Sequence, residues 1–241
     1  MALHKYPQRR RTVFEFRFSL ERRVILISSI TEEGLCRMKS RHIAIEREYG
    51  SGGTQIARRL AEECGVPCYG REILEEVSKR YGVSVERLEC YEESTTGSFF
   101  YSILAMAKAQ TGDADMLGAE GQMFLAEQKI IRQLAAQRRA VFLGHCASEA
   151  FEDKKRVVRV FIRGQAEDKK RRVKQEYGIA ENRIEETMRR FDKKRANYYY
   201  ANTLRRWDDR NNFDLVLDST TLGIEGCVAV LKPLLCGNEE L

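Results

Sequence analysis

The residues from His42 to Ala57 have types and spacing that could bind phosphate. Apolar residues from Ile43 to Ile45 predict a buried strand, the glycine-rich run Gly50-Ser51-Gly52-Gly53-Thr54 predicts a tight turn, and a helical pattern follows. Small residues let the backbone curl until several N–H groups converge on an anion, and the N-terminus of the next helix adds its dipole. The spacing therefore predicts a phosphate-binding loop.

The loop departs from the G-x-x-x-x-G-K-[ST] template at two positions. Gly52 and Thr54 fall in place, whereas Arg47 stands where the first glycine belongs and Gly53 replaces the lysine. An ordinary glycine-rich β-to-α turn is an alternative that the motif alone leaves open. A dinucleotide-binding loop is disfavoured, because G-x-G-x-x-G would need a glycine at Gln55.

A second group of candidate residues is cationic and lies in the middle of a long helical pattern. Arg190 and Lys194 are four residues apart on one helical face, and Arg195 lies beside them. Like charges at this spacing repel by a few tenths of a kcal/mol per pair. A bound anion would relieve that repulsion, so the cluster predicts mobile cations that converge on a phosphate.

The formal charge of +6 is concentrated at the N-terminus, where residues 1–41 carry ten Lys/Arg and four Glu. The rest of the chain is balanced, but residues 154–206 hold eighteen Lys/Arg against seven acidic residues. Such clustering suits a small polyanion or a nucleic acid. A solvated helix face accounts equally well for many of these side chains, and we find no known nucleic-acid-binding motif.

Seven cysteines without a C-x-x-C pair favour a reducing compartment over a disulfide framework. Cys64 and Cys68 are four residues apart, but a metal site would need two further ligands in a chain with three histidines. No continuous apolar run reaches the 18 residues expected of a membrane span, and we recognise no signal peptide. We therefore expect a soluble, cytoplasmic protein that has no membrane partner.

The candidate residues must be positioned by secondary structure. From His42 onward, the sequence pattern alternates short apolar strands with helices. That alternation predicts a parallel sheet with crossover helices. Strands are expected at the start of this region and at residues 66–69, 140–144, 157–162 and 213–218. Helices are expected at 53–64, 71–81, 84–92, 98–110, 117–138, 167–177, 180–204 and 223–235.

Two regions are expected, a 1–41 extension and a 42–241 domain. Phe14, Phe16 and Phe18 alternate with charged residues in the extension, which favours a strand or hairpin there. The extension precedes the first core strand and could be an appendage or non-native upstream sequence. We expect removal of residues 1–37 to spare activity.

Four ordered motifs resemble the cytidylate-kinase-like proteins, a divergent branch of the nucleoside monophosphate kinases. They span Arg47–Gly53, Cys68–Leu74, Arg195–Tyr199 and Asp214–Glu225. The resemblance implies an α/β fold of the P-loop class: a three-layer parallel sheet with crossover helices and a helical lid at about 164–206. It also implies transfer of a phosphoryl group from ATP to a nucleoside monophosphate, CMP or a relative, with Mg²⁺.

The loop pattern and the resemblance together suggest a role for each candidate residue. Gly50, Ser51, Gly52, Gly53 and Thr54 would bind the donor phosphates, with Thr54 also on the metal and Arg47 in place of the missing lysine. Arg71 and His145 would face the acceptor. Arg190, Lys194 and Arg195 would be the catalytic lid cations.

Three departures from the family pattern bear on turnover. Gly53 replaces the lysine of orthodox members, Gly70 replaces an aspartate, and His145 replaces an arginine with a titratable ring. His145 could also be a polar residue at a strand end. A nucleotide-binding or regulatory module without turnover, and a nucleic-acid-binding protein, therefore remain alternatives, and the sequence leaves the acceptor base and oligomeric state open.

Overall fold

Five parallel strands form one sheet in a computed structural model that describes residues 42–94 and 119–236. The order is β2-β3-β1-β4-β5. The strands are β1 (His42–Arg47), β2 (Cys68–Tyr69), β3 (Val141–Leu143), β4 (Val157–Arg163) and β5 (Leu215–Asp218). The α/β fold with a parallel sheet is confirmed. The 1–41 extension and the helix expected at 98–110 lie outside the described residues.

All but the last of the described helices lie in the connections between strands, and the last follows β5. They are α1 (Gly53–Glu63), α2 (Arg71–Tyr81), α3 (Val85–Ser94), α4 (Ala119–Gln137), α5 (Ala166–Tyr177), α6 (Glu181–Thr203) and α7 (Ser219–Cys236). The last helix begins four residues earlier than predicted, because one turn at Ser219 precedes a kink at Gly223, whose φ is +68°.

The sheet lies between two layers of helices, and β1 shows how. Ile43 and Ile45 face a core built with α1 and α7, whereas Ala44 faces a core built with α2 and α4. Side chains alternate between the two faces of a strand, so a central strand covered on both sides must be apolar throughout. This explains the uninterrupted apolar run and confirms the three layers.

β1 pairs with β3 on one side and with β4 on the other, both in parallel. Its last residue, Arg47, therefore lies at the carboxyl edge of the sheet, where crossover helices begin. Ligands of open α/β sheets bind in the crevice outside this edge. The fold thus places the glycine loop, which follows Arg47, at the expected position for a ligand site.

The expectation of reduced cysteines is wrong for one pair. Cys64, which follows α1, forms a disulfide with Cys236 at the end of α7, with their Cα atoms 5.6 Å apart. The pairing joins residues 172 positions apart, which local spacing does not reveal. Cys68 is a free thiol, and the described residues contain no group of three or more potential His, Cys, Asp or Glu metal ligands.

By length and composition alone, α7 could cross a membrane. Its residues Cys227, Val228, Leu231 and Leu235 are, however, buried in the core that α1 and the sheet also form. The core helix of a soluble protein can have the same length and composition, so these two properties of α7 are only weak evidence for a membrane span.

Candidate functional site

The glycine loop curls through two left-handed residues. Gly50 and Gly52 each have φ of +76°, a conformation that side chains disfavour. Ser51 is fully buried between them, and its hydroxyl donates to the Glu48 carbonyl over 2.8 Å. The amide of Ile56 donates to the Gly52 carbonyl and starts α1. The loop therefore leads into a helix N-terminus, the arrangement that binds anions.

Neighbouring elements approach this loop so closely that only glycine fits. A Cβ at Gly52 would lie 2.5 Å from Ile224 Cδ1 and 3.3 Å from Arg172 Cζ. A Cβ at Gly50 would lie 2.8 Å from Val173 Cγ2. Helix α5 and the part of α7 after its kink therefore pack against the loop.

Two residues of α5, which the sequence did not single out, contact the loop. Arg172 Nη1 donates to the Gly50 carbonyl over 2.7 Å, and Lys169 Nζ lies 2.8 Å from Glu48 Oε2. In the sequence, both are simply members of the basic segment. Their spacing of three residues, which puts them on one helical face, was the available signal.

Many other cations of the basic segment form ion pairs with neighbouring acids. Lys170 contacts Glu167 and Glu185, and Lys174 lies 2.8 Å from Glu181. These pairs lie on the surface of α5 and α6, as expected for solvated helix faces.

Arg47 runs across the loop and reaches the neighbouring strand. A Cβ at Gly53 would lie 2.6 Å from its Cβ and 2.9 Å from its Cγ. A Cβ at Gly144, which follows β3, would lie 2.5 Å from its Nη1. The Arg47 stem therefore passes beside Gly53, and its guanidinium group rests on Gly144.

Arg195 contacts both the end of β1 and its own helix. Its Nη1 donates to the Arg47 carbonyl over 3.0 Å and lies 3.6 Å from Asp192 Oδ1. Asp192 in turn accepts a 2.6 Å hydrogen bond from the Tyr49 amide. Burial, followed by the nearby charge of Arg47, lowers the pKa of Arg195 to about 10. Two guanidinium groups thus lie close together and would be stabilised by an anion.

A cavity of about 390 Å³ opens beside these cations at the carboxyl ends of β1 and β3. Its volume is within the range of ligand pockets. Four predicted site residues line it, namely Arg47, His145, Lys194 and Arg195. The structure therefore brings together residues from β1, the β3 edge and α6 that are far apart in sequence.

The other predicted residues, namely Arg71, Arg190 and the loop residues Gly50, Ser51, Gly52, Gly53 and Thr54, do not line this cavity. Arg71 is 62% exposed, with its Nη2 3.4 Å from the Glu89 carboxylate. Arg190 projects over the Phe191 ring, with its Cζ 5.3 Å from the ring centroid. Neither lines the cavity in this conformation. Thr54 lies in the first turn of α1, on the loop side of the site.

The sequence is similar to that of a known protein family. Residues 42–221 match the sequence model described as "Cytidylate kinase-like family". The chain belongs to the cytidylate kinase-like family. The match begins with β1 and ends just after β5, so it includes the glycine loop, the cavity and both helices of the basic segment.

One solved structure shares the fold, and others are similar at lower TM-scores. An uncharacterized protein from Eubacterium ventriosum ATCC 27560 superposes with a TM-score of 0.60 at 22% identity, covering 82% of this chain and 99% of its own. Shikimate kinase from Bacteroides thetaiotaomicron has a TM-score of 0.45 at 16% identity, and the match covers 81% of this chain and 98% of the kinase. TT1252 from Thermus thermophilus has a TM-score of 0.46 at 19% identity, and the match covers 81% of this chain and 96% of TT1252. No curated protein matches the sequence.

Proposed function

We propose that this family member transfers the γ-phosphoryl group of ATP to a nucleoside monophosphate, CMP or a relative. The observation that carries the proposal is the convergence of Arg47, Lys194 and Arg195 on one cavity beside the glycine loop. Phosphoryl transfer needs positioned phosphates, in-line geometry and cations on the developing charge, and little else from the protein. The glycine loop would position the phosphates, and the three cations would offset the developing charge.

The donor phosphates would lie on the loop from Gly50 to Thr54, facing its amides and the N-terminus of α1. Arg172 already contacts the loop through the Gly50 carbonyl. It can therefore contribute charge that the missing lysine would have provided. Arg47 contributes a second fixed charge next to Gly53.

Mg²⁺ is bound in most such sites by substrate phosphates, water and few protein oxygens. The Thr54 hydroxyl in the first turn of α1 suits that role, and a larger set of protein carboxylates is not required. Bound there, the ion would neutralise phosphate charge. The protein residues would orient the donor and exclude water.

The acceptor phosphate would lie in the 390 Å³ cavity, near His145 and the cations. Arg71 would join it only by leaving Glu89. Arg195 would exchange its bond to the Arg47 carbonyl for a bond to the transferring group, and Lys194 and Arg190 would add charge. Residues 164–206 would in this way act as the lid.

A nucleotide-binding module without turnover is the main alternative, and the hydrogen bond that occupies Arg195 favours it. A screen of the full chain with ATP, Mg²⁺ and CMP, UMP, AMP, GMP or dCMP distinguishes the two. The kinase proposal predicts ADP and one nucleoside diphosphate in equal amounts. ATP binding by titration without any diphosphate would instead identify the binding module.

A further inference from the structure

The turn after β3 has an unusual backbone. Gly144, His145 and Cys146 have φ values of +80°, +59° and +46°, so three successive residues are left-handed. Two of them carry side chains, at a cost of roughly 1–2 kcal/mol each. Strain of this kind persists only where surrounding contacts impose it, and it is frequent at functional sites. Here it sets the His145 ring at the wall of the cavity.

Helix α4 fixes His145 at both its ring and its backbone. Glu127 is fully buried, and its Oε2 lies 3.3 Å from His145 Nδ1. The next residue, Gln128, donates from Nε2 to the His145 carbonyl over 3.0 Å. Tyr198 of α6 donates to the same Glu127 oxygen over 2.6 Å. A buried carboxylate therefore connects the ring to α4 and α6.

This contact determines which ring nitrogen can change its protonation. An ionised carboxylate only accepts hydrogen bonds, so with Glu127 ionised Nδ1 carries the hydrogen that faces it. A change in protonation then falls on Nε2. A histidine held by a carboxylate in this way has a fixed tautomer and ring orientation.

The groups around the ring come from every packed element. Among the residues that the structure describes, they are the cations Arg47, Lys194 and Arg195, the carboxylates Glu46, Glu89 and Glu127, and the weak acids Tyr198, Tyr199 and Cys146. The three cations and the three carboxylates offset one another in formal charge. A phosphate monoester in the cavity would add negative charge and so favour a further positive charge on the ring.

We propose that His145 takes up a proton from solvent at Nε2 when a phosphate monoester enters the cavity, and that Glu127 positions the ring for this. The proposal rests on the proposed acceptor site and adds pH dependence to it. An arginine at this position would bind the same anion without a proton. The histidine therefore makes acceptor binding weaken as pH rises.

Calorimetric titration tests the proposal without requiring turnover. CMP, and separately inorganic phosphate, are titrated into wild type and His145→Arg in two buffers of different ionisation enthalpy. We expect wild type to take up a larger fraction of a proton than His145→Arg. The ratio of the wild-type Kd to the variant Kd should rise with pH, by at most about tenfold per unit for one linked proton. Titration of the phosphate itself affects both proteins equally and cancels in this ratio.

Two further variants separate positioning from folding. His145→Asn keeps a residue that tolerates the left-handed conformation, and it should bind CMP more weakly with no extra proton uptake. It also assigns the His145 signals in an NMR spectrum of three histidines. In Glu127→Gln, the ¹⁵N signature of the Nδ1–H tautomer should be lost and the extra proton uptake should fall.

The outcomes distinguish this proposal from the proposed function. CMP binding by both proteins with equal proton uptake in wild type and His145→Arg would overturn the role of His145 and leave the kinase proposal intact. Failure of both CMP and inorganic phosphate to bind wild type and His145→Arg would overturn the acceptor site, and both proposals with it.

Discussion

The stem of Arg47 occupies the space in which a side chain at Gly53 would begin. The Cβ of such a side chain would lie 2.6 Å from the Arg47 Cβ, and Cβ atoms do not approach so closely without a backbone shift. The two departures from the phosphate-loop template are therefore linked. An arginine at the first template position excludes a lysine at the later one and supplies a positive charge of its own.

Restoring the lysine alone should consequently fail to improve the site. We expect Gly53→Lys to lower the free energy of unfolding by about 1–3 kcal/mol through overpacking and to weaken ATP binding. The double variant Arg47→Gly/Gly53→Lys recreates the template and should recover part of both losses. Urea denaturation and nucleotide titration measure these effects. Tighter ATP binding by Gly53→Lys alone would show that the two positions are independent.

Gly52 should be needed for binding more than for folding. Gly52→Val places a branched side chain against Ile224 and Arg172, beside the predicted phosphate position. We expect ATP affinity to fall at least about tenfold, equivalent to about 1.4 kcal/mol. Gly65→Val is the matched control, since Gly65 has φ of +61° and a Cβ added there would meet no atom within 4 Å. Equal ATP affinity in the two variants would remove the loop from the site.

Arg195 should act mainly in the transition state. We predict that Arg195→Ala lowers kcat by at least about 10²-fold, as for other arginines on a transferring phosphoryl group. Nucleotide binding should stay within about tenfold of wild type. Arg195→Lys should rescue only in part, because an ammonium group lacks the planar fork.

Arg183→Ala provides a control for Arg195, because Arg183 is an exposed residue of the same helix α6. Steady-state kinetics should show wild-type parameters for this variant. If Arg195→Ala retained the kcat of its control, Arg195 could not be the catalytic cation.

His42 should make stability depend on pH. Burial, followed by the charge of Arg156, lowers the pKa of His42 to about 4 from 6.5. The unfolded chain then binds the proton more readily, so stability rises with pH between about 4 and 6.5. The shift corresponds to about 3 kcal/mol. His42→Leu should remove this part of the profile in urea unfolding at a series of pH values, and parallel profiles would contradict the assignment.

Local patterns predicted much of the fold because they record burial and turn geometry directly. The apolar run around Ile43 to Ile45 indicated a central strand, and the glycines indicated where the chain must turn left-handed. The kink in α7 was not predicted, because Gly223 resembles an ordinary helix start. The disulfide of Cys64 and Cys236 was missed because it depends on long-range packing.

The site was predicted less completely than the fold. Cations could be found as a cluster, but the sequence did not show that Arg195 is bound to the Arg47 carbonyl or that Arg71 pairs with Glu89. Glu127 carried no signal at all, since one glutamate in a helical pattern is normally solvated. Its role follows only from the contact between α4 and the turn after β3.

Phosphorus NMR of the full chain with ATP, Mg²⁺ and CMP tests the central claim most directly. We predict that signals of ADP and CDP grow together while those of ATP and CMP decline, and that Gly52→Val abolishes the change. Release of inorganic phosphate without CDP, or no change in wild type while ATP and CMP are bound, would contradict phosphoryl transfer to CMP.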